Sequence, residues 1–411
     1  MTQAAQEQRA LPRLALVGIF GGLFTGYLGL TSVIPVLPDF TRSHLHAADF
    51  AVGLVVTATA LTALLTRPFA GRLADRHGHK PVMRLGALIV GGGGLLYFAP
   101  LGLAGLICVR LLLGVGEAAL FTAGAVWTIS LAPHDRRGQL IGLYGVSMWG
   151  GISLGTLLGA TISHFGDTYV WALSSAAPLI GLLLVSAVPD PQKPEQPAQG
   201  SGEQAPGVPG GRPPGPAPRG IDLAGLLPRP VIWPGTALAL AAAGYAGLAS
   251  FIVLYLKSRG ISDGVLVLSE FSAVYAGTRL FIGHFPDKFG PRRVASASGA
   301  GEALGLVIIA VAPNLAVALI GGLVMGVGFS LLHPSLALMV MNRTDPARQG
   351  VALGAYTSFW DLGIGVWGPL TGLIAAWLGY RAVFAVGAGC AGIAALMALW
   401  IDRPAARIEA S

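Results

Sequence analysis

The chain has 411 residues, of which 54% are hydrophobic and only 11% charged, and its mean hydropathy is +0.68. A soluble fold of this length needs far more charge to cover its surface, which excludes that class and leaves a multi-spanning helical membrane protein. The net charge of +7 and pI near 9.7 do not indicate a nucleic-acid partner, because the basic residues sit in the polar breaks between apolar runs, where they orient a chain in a bilayer.

Twelve apolar segments follow one another, most of them reaching the ~20 residues needed to cross a ~30 Å hydrocarbon core. The first six are roughly 13–37, 50–70, 82–100, 103–132, 138–163 and 169–188. The run after Arg13 is too long for a signal peptide and reads as a retained first span. Residues 189–230 then break the pattern with "PDPQKPEQPAQGSGEQAPGVPGGRPPGPAPRG", a Pro/Gly-rich tether with too few large apolar side chains to fold alone. Its last part, Ile221 to Pro230, is expected to lie on the membrane surface. The second six segments are roughly 231–256, 264–283, 294–312, 314–341, 350–377 and 380–401, followed by a tail, 402–411. The expected organisation is a six-helix bundle over 1–188, a cytoplasmic linker over 189–230 and a second six-helix bundle over 231–401.

With both termini cytoplasmic, the inner segments hold 19 of the 26 Lys and Arg, and the outer loops hold only Arg42, Lys257, Arg259 and Arg381. That asymmetry sets the orientation. Arg outnumbers Lys 22 to four, which suits a GC-rich bacterial genome and an inner (plasma) membrane. Cys108 and Cys390 fall in apolar runs of different halves, so neither a disulfide framework nor a metal-ligand cluster is expected, and nothing calls for a cofactor.

Two stretches stand out for their charge. "TRPFAGRLADRHGHK" begins at Thr66, and "TRLFIGHFPDKFGPR" begins at Thr278. At a constant offset of 212 residues, Thr66, Arg67, Phe69, Gly71, Asp75 and Gly78 return as Thr278, Arg279, Phe281, Gly283, Asp287 and Gly290. Arg76 and Lys80 return as Lys288 and Arg292. The offset continues: Gly114 and Gly116 match Gly326 and Gly328, and Gly138, Gly142, Tyr144 and Gly151 match Gly350, Gly354, Tyr356 and Gly363. Six spans is an even number, so both copies share one orientation and are related by an axis along the membrane normal, as in transporters that alternate access by rocking two halves.

These residues resemble the major facilitator superfamily over nearly the whole chain. Its loop motif G-x-x-x-D-R-x-G-R-R appears as Gly71, Asp75, Arg76, Gly78 and Lys80, with His79 at one arginine position, and a degenerate copy appears as Gly283, Asp287, Lys288, Gly290 and Arg292. The resemblance implies a conformational latch, in which Asp75 accepts hydrogen bonds from the N-terminus of the eleventh span, near Gly350, when the cytoplasmic side is closed. "VRLLLGVGEAALF" resembles the family's R-x-x-x-G-x-G motif through Arg110, Gly114 and Gly116. Gly142, Gly151, Gly155 and Gly159 follow the antiporter motif, with Thr156 at its proline position, and are similar to proton-driven drug and arabinose-efflux members.

Charges without a counterpart in the other repeat carry the functional expectations. Arg110 matches Gly322 and Glu117 matches Phe329, so neither charge is required to build a bundle. Residues 110, 114, 117 and 121 share one helix face, and a charge at a span's centre costs about 2.5–3.5 kcal/mol, which places both on a wet cavity. The resemblance implies that the first, fourth, seventh and tenth spans line it. Glu117 is the expected protonation site, with Arg110, Asp361 and Glu270 as further proton-coupling or substrate candidates. Tyr27, Trp127, Tyr245 and His333 are cavity candidates, whereas Arg67 and Arg279 read as structural snorkelling residues one turn inside the boundary, and Glu302 has no assigned role. The expected function is proton-coupled efflux of a small, amphipathic molecule by a monomer in the bilayer. Uptake of a sugar or organic anion, with Arg110 on the carboxylate, and a non-transporting receptor of the same fold are the alternatives. No H-E-x-x-H site, no G-x-S-x-G nucleophile elbow and no P-loop is expected, and with them no enzyme activity.

Overall fold

The computed structural model describes residues 3–131, 137–188, 228–344 and 349–401, with side chains at positions 14–131, 140, 143–188, 228–344 and 352–401. The linker from 189 to 227, most of the expected surface segment, the tail, and Arg136 with Arg348, a further pair at the 212-residue offset, lie outside the described residues. Among the described residues there are no strands, and twelve helices are long and apolar enough to cross a membrane. They are α1 Gln3–Ser32, α2 Asp49–His77, α3 His79–Leu95, α4 Gly102–Leu131, α5 Arg137–Ser163 and α6 Asp167–Ala187, then α7 Arg229–Ser258, α8 Val265–Ile282, α9 Pro291–Val311, α10 Leu315–Met341, α11 Gln349–Leu378 and α12 Tyr380–Ile401.

The packing scheme repeats. In the first half α1 packs on α5 and α6, α4 on α2 and α3, and α3 on α6. In the second half α7 packs on α11 and α12, α10 on α8 and α9, and α9 on α12. The two bundles meet along α2 with α11 and α5 with α8, pairs that exchange under the repeat, as a pseudo-twofold axis requires. Equivalent bonds recur as well: Tyr144 donates to the Phe121 carbonyl at 2.6 Å and Tyr356 to the His333 carbonyl at 2.9 Å, each residue displaced by the same 212 positions.

The loop motif turns the chain where glycine is needed. Gly78 ends α2 at φ 90° and Gly290 precedes α9 at φ 86°, a region that side-chain-bearing residues avoid. Lys80 then reaches across to donate to the Val188 carbonyl at the end of α6, at 2.5 Å, where a cation also complements the helix dipole. Helix α2 extends to His77, well beyond the expected end near residue 70.

The glycines resembling the antiporter motif form a seam inside the first bundle. A β-carbon at Gly151, Gly155 or Gly159 would overlap the α1 carbonyls of Phe24, Leu28 or Ser32. In lipid, close packing of this kind supplies the association that the hydrophobic effect cannot. The cross-bundle seam is built similarly: Gly53 of α2 and Gly368 and Gly372 of α11 let the two backbones approach, with Thr57 and Asp49 opposite the last two.

Candidate functional site

The contacts that join the bundles run from one face of the molecule to its middle. At the face opposite the loop motif, Lys257 pairs with Asp39 at 2.7 Å and the Tyr380 hydroxyl donates to Asp49 at 3.1 Å. Deeper, Ser153 of α5 donates to the Ser272 carbonyl of α8 at 2.7 Å. The deepest is an ion pair. Arg67 of α2 donates to both carboxylate oxygens of Asp361 on α11, through Nε at 2.5 Å and Nη2 at 3.1 Å. On the motif face, Asp75 is exposed and, among the described residues, makes no hydrogen bond or ion pair. Arg76, Asp287 and Lys288 are exposed too. The molecule is therefore sealed at the opposite face, and the predicted Asp75 latch is not engaged.

Arg67 differs from the expected snorkelling role. It points inward, with its side chain 14% exposed and Asp361 only 4%, and its guanidinium lies 4.7 Å from the Phe121 ring. Glu117 of α4 stands close by and accepts a hydrogen bond from Tyr27 of α1 at 3.1 Å. Tyr27, Glu117 and Asp361 all lie within electrostatic range of Arg67. A cluster of four polar groups from α1, α2, α4 and α11 thus occupies the junction of the bundles, and three of the four, Glu117, Tyr27 and Asp361, are sequence candidates.

Arg110 lies elsewhere. It is 1% exposed, and its Nε and Nη2 donate to the Val55 and Val56 carbonyls of α2 at 2.8 and 2.6 Å, so the expected wet-cavity placement gives way to a brace between α2 and α4. Its Nη1 has no hydrogen-bond partner. Gly322, its counterpart, makes room for Glu270 of α8, whose half-buried carboxylate has one buried oxygen without a partner. Glu302 is fully buried inside the second bundle against Gly244, with neither carboxylate oxygen bonded. Trp127 is buried packing in α4.

The second bundle answers the polar cluster with aromatic rings. Tyr245 stacks on Phe329 at 6.1 Å and lies 5.8 Å from Trp360; Phe329 also meets Tyr275 at 5.7 Å. Trp149 of α5 crosses to Tyr275 at 4.2 Å and to Trp360 at 6.2 Å. His333 packs edge-on to Tyr356 at 5.2 Å, beside Pro334 in a continuous α10. Arg67, Trp149, Tyr275 and Trp360 were not sequence candidates; the repeat carried the signal for the first, because Arg67 and Arg279 are both retained.

The stretch Gly151-Ile152-Ser153-Leu154-Gly155 spells the G-x-S-x-G of serine hydrolases. It lies within α5 with Ser153 bonded to a backbone carbonyl, lacking the strand–turn–helix elbow that chemistry needs. A groove of about 380 Å³ between α2, α3 and α4, lined by residues such as Phe69, Leu73, Leu85 and Ile89, lies on the outside of the first bundle, away from the polar cluster.

The sequence pattern of the Major Facilitator Superfamily matches residues 19–276 and 264–411. The chain is 32% identical over 388 residues to the MFS-type transporter STM4428 of Salmonella typhimurium, covering 92% of this chain and 94% of that protein. It is 31% identical over 393 residues to the MFS-type transporter YhhS of Escherichia coli K12, covering 93% and 91%. Among solved structures, the nucleoside transporter NupG aligns with a TM-score of 0.69 at 16% identity, over 95% of this chain and 99% of the other. The human organic anion transporter MFSD10 aligns with a TM-score of 0.68 at 18% identity, over 94% and 99%. Matched in family pattern, in relatives and in fold over nearly its full length, and not an enzyme, the chain belongs to the Major Facilitator Superfamily of transporters.

Proposed function

We propose that this transporter couples inward proton movement to export of a small amphipathic molecule, with Glu117 as the proton-binding carboxylate. The observation that carries the reading is the position of Glu117: a membrane-embedded acid, hydrogen-bonded by Tyr27 and within electrostatic range of the ion pair that ties the two bundles together. Arg67 is bonded to Asp361 of the second bundle and lies within electrostatic range of Glu117 of the first. With Glu117 neutral, Arg67 commits to Asp361 and the bundles stay closed at the outer face. When Glu117 gives up its proton toward the cytoplasm, it competes for Arg67, weakens the cross-bundle bond and favours rocking to the outward-open state. A proton moving with a membrane potential supplies about 2.3 kcal/mol per 100 mV, which drives substrate the other way.

The charge asymmetry of the loops orients the motif face, both termini and the linker to the cytoplasm of an inner (plasma) membrane. In the outward-open state that face closes, and Asp75 then meets the N-terminus of α11. One transporter chain contains both halves of the site, so a monomer suffices. The test is flux in proteoliposomes with an imposed pH gradient: Glu117→Gln protein, held in the neutral form, should lose gradient-driven transport, and an unchanged response to the gradient would refute the assignment.

A further inference from the structure

Arg279 of α8 is the repeat counterpart of Arg67, yet its surroundings differ in one respect. Arg67 faces Asp361 of the other bundle; the residue that the repeat places opposite Arg279 is Trp149, the counterpart of Asp361. The guanidinium of Arg279 lies 5.9 Å from the Trp149 ring and 5.7 Å from the Tyr275 ring, and donates one hydrogen bond to the Tyr275 hydroxyl at 2.9 Å. The titratable groups within its electrostatic range are Tyr275, Tyr356 and His333. Among the described residues no carboxylate pairs with it. Aromatic neighbours leave a guanidinium charged, and apart from the N–H given to Tyr275 its donors belong to the fork that recognises carboxylates bidentately.

We propose that Arg279 is an anion subsite, and that the transported molecule is an aromatic organic anion whose carboxylate takes the place at Arg279 that Asp361 takes at Arg67. Three features of the molecule point there. A cation within a span is costly unless it is neutralised or exposed to water, and Arg279 is half-buried with no acid beside it. Its buried neighbours Trp149 and Tyr275 continue through Phe329 to the half-buried rings of Tyr245 and Trp360, surfaces suited to the face of a planar apolar body. An ionic cross-bundle partner is present at Arg67 and lacking at Arg279, so a bound anion would fill on this side of the pseudo-twofold axis the place that Asp361 fills on the other.

The subsite rests on the export reading and deepens it by naming a substrate class, and it is tested by binding alone, without a gradient. Radiolabelled 1-naphthoate and its neutral counterpart naphthalene-1-carboxamide are titrated onto purified protein in nanodiscs. Wild-type protein should bind the anion at least tenfold tighter than the amide. Arg279→Gln should erase that preference, while Arg279→Lys, which keeps the charge but not the fork, should retain part of it and shows that the position tolerates change. Equal binding of the two probes, no saturable binding of naphthoate, or a preference that survives in monodisperse Arg279→Gln protein would each overturn the proposal. Loss of gradient dependence in wild-type flux would instead remove the proton reading and leave this one standing.

Discussion

Asp361→Asn is expected to shift the balance between the two transport states by about a hundredfold. The wild-type pair is bidentate, largely enclosed and made between bundles that must separate there when the outer face opens. Removing one partner of a buried ion pair costs about 3–5 kcal/mol, because it leaves the other charge uncompensated. Arg67 keeps 14% exposure and has Glu117 nearby, so the lower end of the range applies. At 1.4 kcal/mol per tenfold, about 3 kcal/mol is a factor of roughly 10² in the closed-to-open ratio. Phe165 and Ser262 are exposed in loops of opposite bundles at the sealed face. Spin labels at Phe165→Cys and Ser262→Cys, with Cys108 and Cys390 replaced, report the separation of the bundles there. The wild type should populate the short distance, Asp361→Asn and Arg67→Gln should move population to the long one, and the swap Arg67→Asp with Asp361→Arg should recover the short distance. Distance distributions unchanged in both single variants would refute the bridge as a determinant of the state.

Gly159→Leu should abolish recovery of folded protein, since its side chain would occupy the backbone of α1, whereas Gly145→Ala, with open space around it, should purify as wild type by size-exclusion chromatography. Lys80→Gln should lower stability by about 0.5–1.5 kcal/mol, seen as a drop of a few degrees in thermal unfolding, through loss of the bond to the Val188 carbonyl; Lys80→Arg should recover much of it. Asp75→Asn should leave thermal stability unchanged, because Asp75 is exposed in this state, yet reduce the rate of transport in proteoliposomes through loss of the outward-open latch. Equal loss of both would place Asp75 in the fold and not in the cycle.

The spans and their repeat were legible because apolar length and a fixed offset are one-dimensional signals. The pairing of Arg67 with Asp361 was not. Ending α2 near residue 70 put Arg67 one turn from water, whereas the helix continues to His77, about ten residues or ~15 Å beyond it. Depth in a tilted helix is read from its true end, and a polar extension hides that end. Arg110 and Glu117 share a helix face, as periodicity indicated, but α4 meets α2 at one depth and α1 at another, so one face presents its residues to different neighbours. The glycines of α5 were legible as a motif; that Gly151, Gly155 and Gly159 serve a close-packed seam within one bundle, against α1, required the fold.

Comparing the two copies separates scaffold from chemistry. What both halves keep includes the tyrosine–carbonyl bonds, the turn glycines and Arg67 with Arg279, and each of these builds a bundle or sets a cation at the junction. What they do not keep is who faces those cations and what lines the junction. Asp361 answers one arginine and Trp149 the other, and Glu117 stands where the second half has Phe329. A symmetric scaffold with an acidic side and an aromatic side suits a proton on one and an organic body on the other, the reading proposed above, while sharing the helices α2, α5, α8 and α11 that join the bundles. On that reading, coupling between two unlike ligands needs no long pathway, because both would act on the same cross-bundle contacts.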